Sequence, residues 1–422
     1  MNKLINRYRN QLAGVVIILE LIACAALPAQ GQTADLSRLV VVGDSLTAGF
    51  QNGSLRGSQQ VHGIAAVIAQ QAGVPLAQPL IGEPGIPNAL QLISVGPPLV
   101  IAPLPGQSTG RIDLFTQPMN LSVPGHTVED ALTLRPGFPP QNLTDLILGF
   151  PGLLAGISRS QVEWAEALQP TTIIVWLGAN DTLGAALDGD ASLVTPEAEF
   201  KAAYQEVMDR LAATGASLVI ANIPDVTTIP YLTSAEQVAA SVGAPLAAIG
   251  PLLGIVPGDY VTPGAFAQIE PILTGASNGP LSADVVLTAS EVAFIQQATQ
   301  RFNAFIAVKS REKNAALVDT YALLNTWKAR GLVVNGQRLT TSFLGGIFSL
   351  DGFHPTNTGA AAAANEFIHE MNRKFGTGIP RANLVAIARQ DPLVLPRTHP
   401  PSALLRGSAL GAARHLSQAL RH

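Results

Sequence analysis

Ser45, Asp351 and His354 have the residue types and the sequence contexts of a nucleophilic site. Ser45 follows an apolar, β-branched run and precedes a predicted helix, so it is expected at a strand-to-helix turn. A serine there projects from the carboxyl edge of a sheet, and its N–H lies at a helix N-terminus, which favours an anion. Asp351 and His354 are three residues apart, so the carboxylate can orient the imidazole as a general base.

Two other positions could donate hydrogen bonds to a developing oxyanion. Asn180 follows a second buried apolar run, and its side-chain amide is a suitable donor. Gly125 lies between a predicted strand and a predicted helix, where the missing side chain leaves its backbone N–H unobstructed. The set predicts a serine hydrolase, with the alternative that Asp44 and Ser45 are only an ordinary helix N-cap.

Two further residues, Ser108 and Asp319, are alternative candidates for the nucleophile and the orienting acid. Ser108 lies in a G-x-S-x-G match at residues 106–110, but this match follows a proline-broken run and reaches Pro118 within eight residues. The elbow that this motif describes needs a strand before it and a helix after it, so we do not expect Ser108 to be the nucleophile. Asp319 ends a predicted strand, but the shorter spacing to His354 favours Asp351 as the orienting acid.

Four blocks of sequence carry a resemblance to a known family. They are GDSLTAG at residues 43–49, VPGHT around Gly125, GAND at residues 178–181 and DGFHP at residues 351–355. In this order, and across roughly residues 38–376, the chain resembles the SGNH/GDSL hydrolase superfamily of serine esterases and lipases. The blocks lie much farther apart here than in small members of the superfamily, so long insertions are expected to shape the substrate site.

The resemblance implies a role for each matching residue. Ser45 would be the nucleophile, with His354 as the base and Asp351 as its orienting acid. The N–H groups of Ser45 and Gly125 and the side chain of Asn180 would form the oxyanion hole. No metal and no organic cofactor are expected.

The resemblance also implies a flavodoxin-like, three-layer α/β/α fold with a mostly parallel sheet of about five strands. The sequence itself alternates strand-like and helix-like segments, which is the parallel-sheet pattern. One domain is expected over residues 35–380, with insertions at about 51–118 and 224–290. Dense glycine and proline predict a loop-like first insertion with one helix near residues 61–71. The second is irregular and apolar, and we interpret it as a cap over the sheet edge or a buried structural insertion.

The N-terminal region, residues 1–34, reads as a secretory signal. Three basic residues precede an apolar run that is too short for a permanent membrane span. Cys24 is the one cysteine of the chain and ends this run after Leu-Ile-Ala, which resembles a bacterial lipobox, so it is a candidate lipidation site. The alternative is ordinary cleavage near residues 25–29, which would leave an enzyme free of lipid.

Composition and charge indicate which classes of binding partner to expect. The chain has 422 residues, of which 13% are charged, and a formal net charge of -4, and no feature typical of nucleic-acid binding is present. The tail, residues 381–422, has six arginines and one acid. A basic amphipathic helix there could contact an anionic membrane, or the tail could dock on its own acidic domain.

The sequence therefore predicts an extracytoplasmic serine esterase or lipase, secreted or anchored through Cys24, whose partner is a small-molecule ester. A carbohydrate acetylesterase and a non-catalytic surface binding protein on the same fold are the alternatives.

Overall fold

The computed structural model describes residues 33–95 and 99–395. Its strands are β1 (Leu39–Gly43), β2 (Leu90–Ser94), β3 (Val100–Pro103), β4 (Thr172–Trp176), β5 (Ser217–Ala221), β6 (Thr233–Ser234), β7 (Tyr260–Val261), β8 (Val286–Leu287), β9 (Ala316–Val318), β10 (Leu332–Val334) and β11 (Gln337–Leu339). Its α-helices are α1 (Ser45–Ala48), α2 (Gly57–Gln60), α3 (Ile64–Ala72), α4 (Val128–Thr133), α5 (Leu143–Leu148), α6 (Gln161–Ala167), α7 (Asn180–Asp188), α8 (Glu197–Ala213), α9 (Ala235–Val242), α10 (Leu246–Leu253), α11 (Phe266–Leu273), α12 (Ala289–Glu312), α13 (Thr320–Arg330), α14 (Asn357–Phe375) and α15 (Leu384–Gln390).

The central sheet is parallel and has the order β1-β4-β5-β9. Every residue of β1 and β4 is buried, which follows from their near-continuous apolar, β-branched sequences. Helices cover the sheet in two layers, one in which α3 packs on α14 and one in which α8 packs on α4, α6 and α12. The α/β fold with a parallel sheet between helices is confirmed.

A fifth extended segment lies beside β1. Residues 119–123 run parallel to it: the N–H of Val41 donates to the carbonyl of Met119 at 2.9 Å, and the N–H of Leu121 donates to the carbonyl of Val41 at 2.9 Å. Pro118 and Pro124 bracket the segment and have no N–H to donate, which keeps the pairing short. The sheet therefore has four strands and this extended segment. Counted along the chain, the five lie in the order 2-1-3-4-5, which is the flavodoxin-like order.

The insertions hold more regular structure than the sequence indicated. The first contains α2, α3 and the antiparallel pair β2–β3. The second contains the antiparallel sheet β6-β7-β8 and the helices α9 to α11, which together enclose a separate apolar cluster. Pro251 lies inside α10 and Pro271 inside α11, and such internal prolines made the sequence look irregular.

The first part of the basic tail packs onto the domain. Asp391 is buried, and its carboxylate accepts hydrogen bonds from the N–H and the hydroxyl of Thr358, both at 2.8 Å, at the start of α14. Asn365 and Ala382 exchange a second pair of hydrogen bonds. Up to residue 395 the tail is thus part of the folded unit. Within the described part of the chain, no helix is both long and apolar enough to cross a membrane.

Candidate active site

Ser45 is the first residue of α1, directly after β1. Asp44 adopts an extended conformation as the N-cap, and its carboxylate accepts the N–H of Leu46 at 2.9 Å. The chain turns tightly here, because a Cβ added at Gly43 would lie 2.1 Å from the hydroxyl of Thr47 and 2.9 Å from the carbonyl of Trp176. Ser45 consequently lies at the carboxyl edge of the sheet with its N–H in the first turn of a helix, where it has no intrahelical partner. The N-cap is Asp44 and not Ser45.

Asp351 and His354 form a buried pair. The Nδ1 of His354 lies 3.1 Å from Oδ2 of Asp351, which fixes the imidazole proton on Nδ1 and leaves Nε2 as an acceptor. Burial opposes ionisation of Asp351, but the electrostatic attraction and hydrogen bond of the His354 imidazole, together with hydrogen bonds from the backbone N–H groups of His354 and Phe353, outweigh it and lower the pKa of Asp351. Nε2 of His354 is buried and has no hydrogen-bond partner among the described residues, so it is free to accept a proton from a substrate-side group.

The rings of Phe50 and Phe353 restrict the imidazole of His354 further. Their centroids lie 4.7 Å and 4.4 Å from the centroid of the imidazole ring. Because both contacts are tilted ring packings, they limit rotation of the base without occupying its nitrogen atoms.

Sequence reasoning missed the residues that hold the Asp351 loop. The N–H of Gly53 donates to Oδ2 of Asp351 at 2.7 Å. The side-chain oxygen of Asn52 accepts a hydrogen bond from the N–H of Leu350 at 3.0 Å. The backbone N–H of Asn52 donates to the hydroxyl of Ser349 at 3.0 Å. An Asn-Gly pair is a turn signal, and Asn52 does adopt a positive φ of 56°, but no local pattern indicates what this turn contacts.

The expected oxyanion residues Asn180 and Gly125 are linked through the loop that contains His126. Asn180 is the first residue of α7, and its side-chain amide donates one hydrogen to the carbonyl of His126 at 2.9 Å, which leaves its second hydrogen for another acceptor. Gly125 is exposed and has a φ of +86°, a conformation that glycine adopts without strain. It does not line the cleft itself and is connected to Asn180 through the neighbouring His126.

Ser45, Asn180 and His354 line one cleft of about 730 Å³, a volume that includes its open mouth. The rest of its wall is almost wholly apolar and comes from Leu46, Ile64, Trp176, Ala179, Leu183, Pro224, Val226, Ile229, Thr320, Leu323, Leu324, Trp327, Phe348, Phe353, Pro355, Gly359 and Ala363. The second insertion contributes its first residues to this wall, whereas the cluster built from α9 to α11 contributes none. The expected cap is therefore a neighbouring subdomain.

The other candidates lie elsewhere. Ser108 donates to the carbonyl of Gly82 at 2.7 Å in a loop and does not line the cleft. Asp319 caps α13 and accepts the side-chain amide of Asn222 at 2.8 Å. Cys24 lies outside the described residues.

A buried serine, a histidine–aspartate pair and an apolar cleft at the carboxyl edge of a parallel sheet form an arrangement suited to ester hydrolysis. The family model of GDSL-like lipases and acylhydrolases matches residues 39–367, so the chain belongs to that family, as the four sequence blocks indicated. This membership supports a hydrolase that acts on esters.

Solved structures are similar at low identity. The psychrotrophic esterase EstA from Pseudoalteromonas sp. is 13% identical, with 80% of this chain and 97% of that chain covered and a TM-score of 0.34. The acetyl xylan esterase AlAXEase is 12% identical, with 78% and 98% covered and a TM-score of 0.32. These TM-scores are below 0.5, so the likenesses say nothing about the substrate of this chain. No curated protein matches the chain.

Two buried carboxyls adjoin the candidate site. Burial raises the pKa of Asp44 to about 7 against the hydrogen bond from Leu46, and the charge of Asp181 adds to the shift. Burial likewise raises the pKa of Asp181 to about 6, although hydrogen bonds from Thr195 and Val128 oppose the shift. The fold therefore favours the protonated form of Asp44 up to neutral pH.

This predicts how stability depends on pH. Below the unfolded-state pKa of about 3.9, Asp44 is protonated in both the folded and the unfolded state, and its burial costs no ionisation energy. As pH rises from there towards 7, the unfolded state releases this proton more readily, so the protein loses stability. Asp44→Asn cannot ionise and still offers an oxygen to the N–H of Leu46. Relative to wild type, its free energy of unfolding should rise by about 2–4 kcal/mol between pH 4 and pH 8, measured by urea denaturation.

Asp284→Asn is the control, since this carboxylate is exposed. It should differ from wild type equally at both pH values. A pH-independent difference for Asp44→Asn would show that folding does not raise the pKa of Asp44.

Proposed function

We propose that the protein is a serine esterase that cleaves carboxylic esters with apolar acyl groups through an acyl-enzyme on Ser45. The observation that carries the proposal is that Ser45, Asn180 and His354 line one cleft whose remaining wall is apolar. Nothing in this arrangement requires a cofactor.

In the first half-reaction, Nε2 of His354 takes the proton of the Ser45 hydroxyl as its oxygen attacks the ester carbonyl carbon. The buried Asp351 carboxylate stabilises the imidazolium that forms. The negative charge on the carbonyl oxygen is met by the N–H of Ser45 and the second amide hydrogen of Asn180. The N–H of Gly125, the third donor that the family resemblance implies, lies outside the lining of the cleft and would donate only if its loop moved towards the substrate. His354 then protonates the leaving alcohol as the C–O bond breaks.

In the second half-reaction, water replaces the alcohol. His354 takes a proton from the water, whose oxygen attacks the acyl carbon, and the same donors stabilise the second oxyanion. Collapse of this intermediate returns the proton to Ser45 and releases the carboxylic acid.

The shape of the cleft favours acyl esters over acetylated sugars. A sugar would need several polar partners, because its hydroxyl groups lose water on binding. Beyond Ser45, Asn180 and His354, the side chains in this wall carry few polar groups: the hydroxyl of Thr320, which already donates to Asn222, and the indole N–H groups of Trp176 and Trp327. A carbohydrate acetylesterase remains the second candidate through the shared sequence blocks. A purely binding role would not require the His354–Asp351 pair.

Ser45 and Ser108 give a matched pair of substitutions. Ser45→Ala should lower kcat/KM for a p-nitrophenyl butyrate ester by at least about 10³-fold, because no nucleophile remains. Ser108→Ala should leave kcat/KM within about twofold of wild type, because its hydroxyl bonds to backbone groups of Gly82 and Gly110, neither of which lines the cleft. The reverse pattern would move the nucleophile to Ser108 and contradict the proposal.

Two substitutions that change the size of the cleft test whether the acyl chain of the substrate binds in it. Ala363 lies on α14 one turn after Gly359, on the face that lines the cleft, and Trp327 lies on α13. Ala363→Phe should reduce turnover of a decanoyl ester at least about tenfold relative to the acetyl ester, and Trp327→Ala should shift the ratio the other way. Melting temperatures control for loss of fold.

Equal effects on both chain lengths would place the acyl group outside this cleft. Faster wild-type turnover of an acetylated xylan than of any simple acyl ester would favour the carbohydrate acetylesterase.

We also propose that the mature protein is extracytoplasmic and anchored through lipidated Cys24. The support is its place after Leu-Ile-Ala at the end of the apolar run. Several acyl chains on one residue hold a protein firmly on a membrane. The intact mass and N-terminal sequence of the mature protein should show a chain that begins at Cys24 and carries acyl groups. An unmodified N-terminus after residue 25 would exclude lipidation.

A further inference from the structure

His126 is a buried histidine that has no part in the reaction described above. It follows Gly125, is 3% exposed, and each of its ring nitrogens has a partner. Nε2 lies 2.9 Å from the hydroxyl of Thr144 on α5, and Nδ1 lies 3.2 Å from the side-chain nitrogen of Gln161 on α6.

The hydrogen bonds of Gln161 define the protonation of this ring. Its Nε2 donates to the carbonyl of Gly43 at 3.0 Å, and because a carbonyl only accepts, the atom facing Gly43 must be the amide nitrogen. The same nitrogen then donates its second hydrogen to Nδ1 of His126. The imidazole is therefore neutral, with its proton on Nε2 directed to Thr144. Burial is the main cause that lowers the pKa of His126 to about 4, against the charge of Asp130, so the ring stays neutral near pH 7.

The network joins three parts of the candidate site. Gly43 is two residues before Ser45 at the end of β1. The carbonyl of His126 accepts the side-chain amide of Asn180 at 2.9 Å. Gly125 lies one peptide away in a left-handed conformation that the chain can leave easily, and the backbone bond from the N–H of His126 to the carbonyl of Val123 is long at 3.3 Å. Hydrogen bonds from the N–H of Val123 to the carbonyl of Gly43 and from the N–H of Val128 to Asp181, both at 3.1 Å, hold the two ends of this loop, and the side chain of His126 holds its middle.

We propose that His126 is a positioning residue for oxyanion stabilisation: its imidazole, held between Gln161 and Thr144, fixes the carbonyl that orients the amide of Asn180. This inference rests on the proposed ester hydrolysis. It assigns His126 no contact with the substrate.

Two substitutions separate the ring's hydrogen bonds from its volume. His126→Phe keeps a planar aromatic ring, of somewhat larger volume, and removes both hydrogen bonds. His126→Asn is smaller and keeps an oxygen that can accept from Gln161. His126→Phe should lower kcat for p-nitrophenyl butyrate about 10–100-fold with KM within about threefold, since the interaction that is lost acts mainly in the transition state. His126→Asn should recover part of this loss.

A double-mutant cycle with Asn180→Ala gives a result that a merely structural role would not produce. If His126 acts by orienting Asn180, His126→Phe should cost less than about threefold in kcat once Asn180 is already alanine. Gln161→Met, which keeps the length of the side chain without its amide, should show the same dependence on Asn180. It also provides the test if His126→Phe does not fold.

Asn372→Ala is the control for general destabilisation. Its side chain ties residues 377 and 379 to the end of α14, far from the cleft, so it should lower the melting temperature and leave kcat unchanged.

Two results would overturn the inference. One is that His126→Phe lowers kcat by the same factor in the wild-type and the Asn180→Ala backgrounds; the other is that both His126→Phe and Gln161→Met have a wild-type kcat. Neither result would affect the proposed esterase activity of the wild-type protein. That proposal fails separately, if the wild-type protein cleaves none of the esters or if Ser45→Ala is fully active.

Discussion

The hydrogen bonds of the Asp351 carboxylate connect parts of the chain that are 298 residues apart in sequence. One oxygen accepts the N–H of Gly53 and the imidazole of His354, and the other accepts the two backbone N–H groups that follow in its own loop. A fully buried carboxylate is tolerated only when its lone pairs are satisfied in this way. The orientation of His354, and with it the chemistry proposed for Ser45, therefore depends on the loop after α1 being folded against the loop before α14.

The candidate site has two walls that are built independently. On one wall, Asp351, Phe50 and Phe353 hold the imidazole of His354. On the other, Asn180 is tied to His126 in the loop after the extended segment beside β1. Ser45 lies between the two walls because β1 is an inner strand of the sheet, and in a parallel sheet all strand ends meet at the same edge.

This arrangement has a cost in stability. Asp44 and Asp181 are buried next to Ser45 and Asn180, and burial raises the pKa of both carboxyls, so ionising them opposes folding. Asp44 is nevertheless the N-cap of α1, and α1 is only four residues long. A short helix with a poorly solvated cap is a weak element in isolation, and it is held by the packing of α3 and β1 around it.

The sequence by itself determined the parallel α/β fold, the family and the strand-end positions of Ser45 and Asn180. These follow from local signals: continuous apolar, β-branched runs typically form buried strands, and a polar residue within a few positions after such a run lies at the sheet edge. The three-residue spacing of Asp351 and His354 is equally local. Tertiary structure alone decided that Asn52 and Gly53 hold the Asp351 loop, that Gln161 and Thr144 bind His126, and that α10 and α11 form around internal prolines. Each of these depends on contacts between segments far apart in sequence, and a single sequence carries no record of which distant backbone or side-chain group will complete a hydrogen bond.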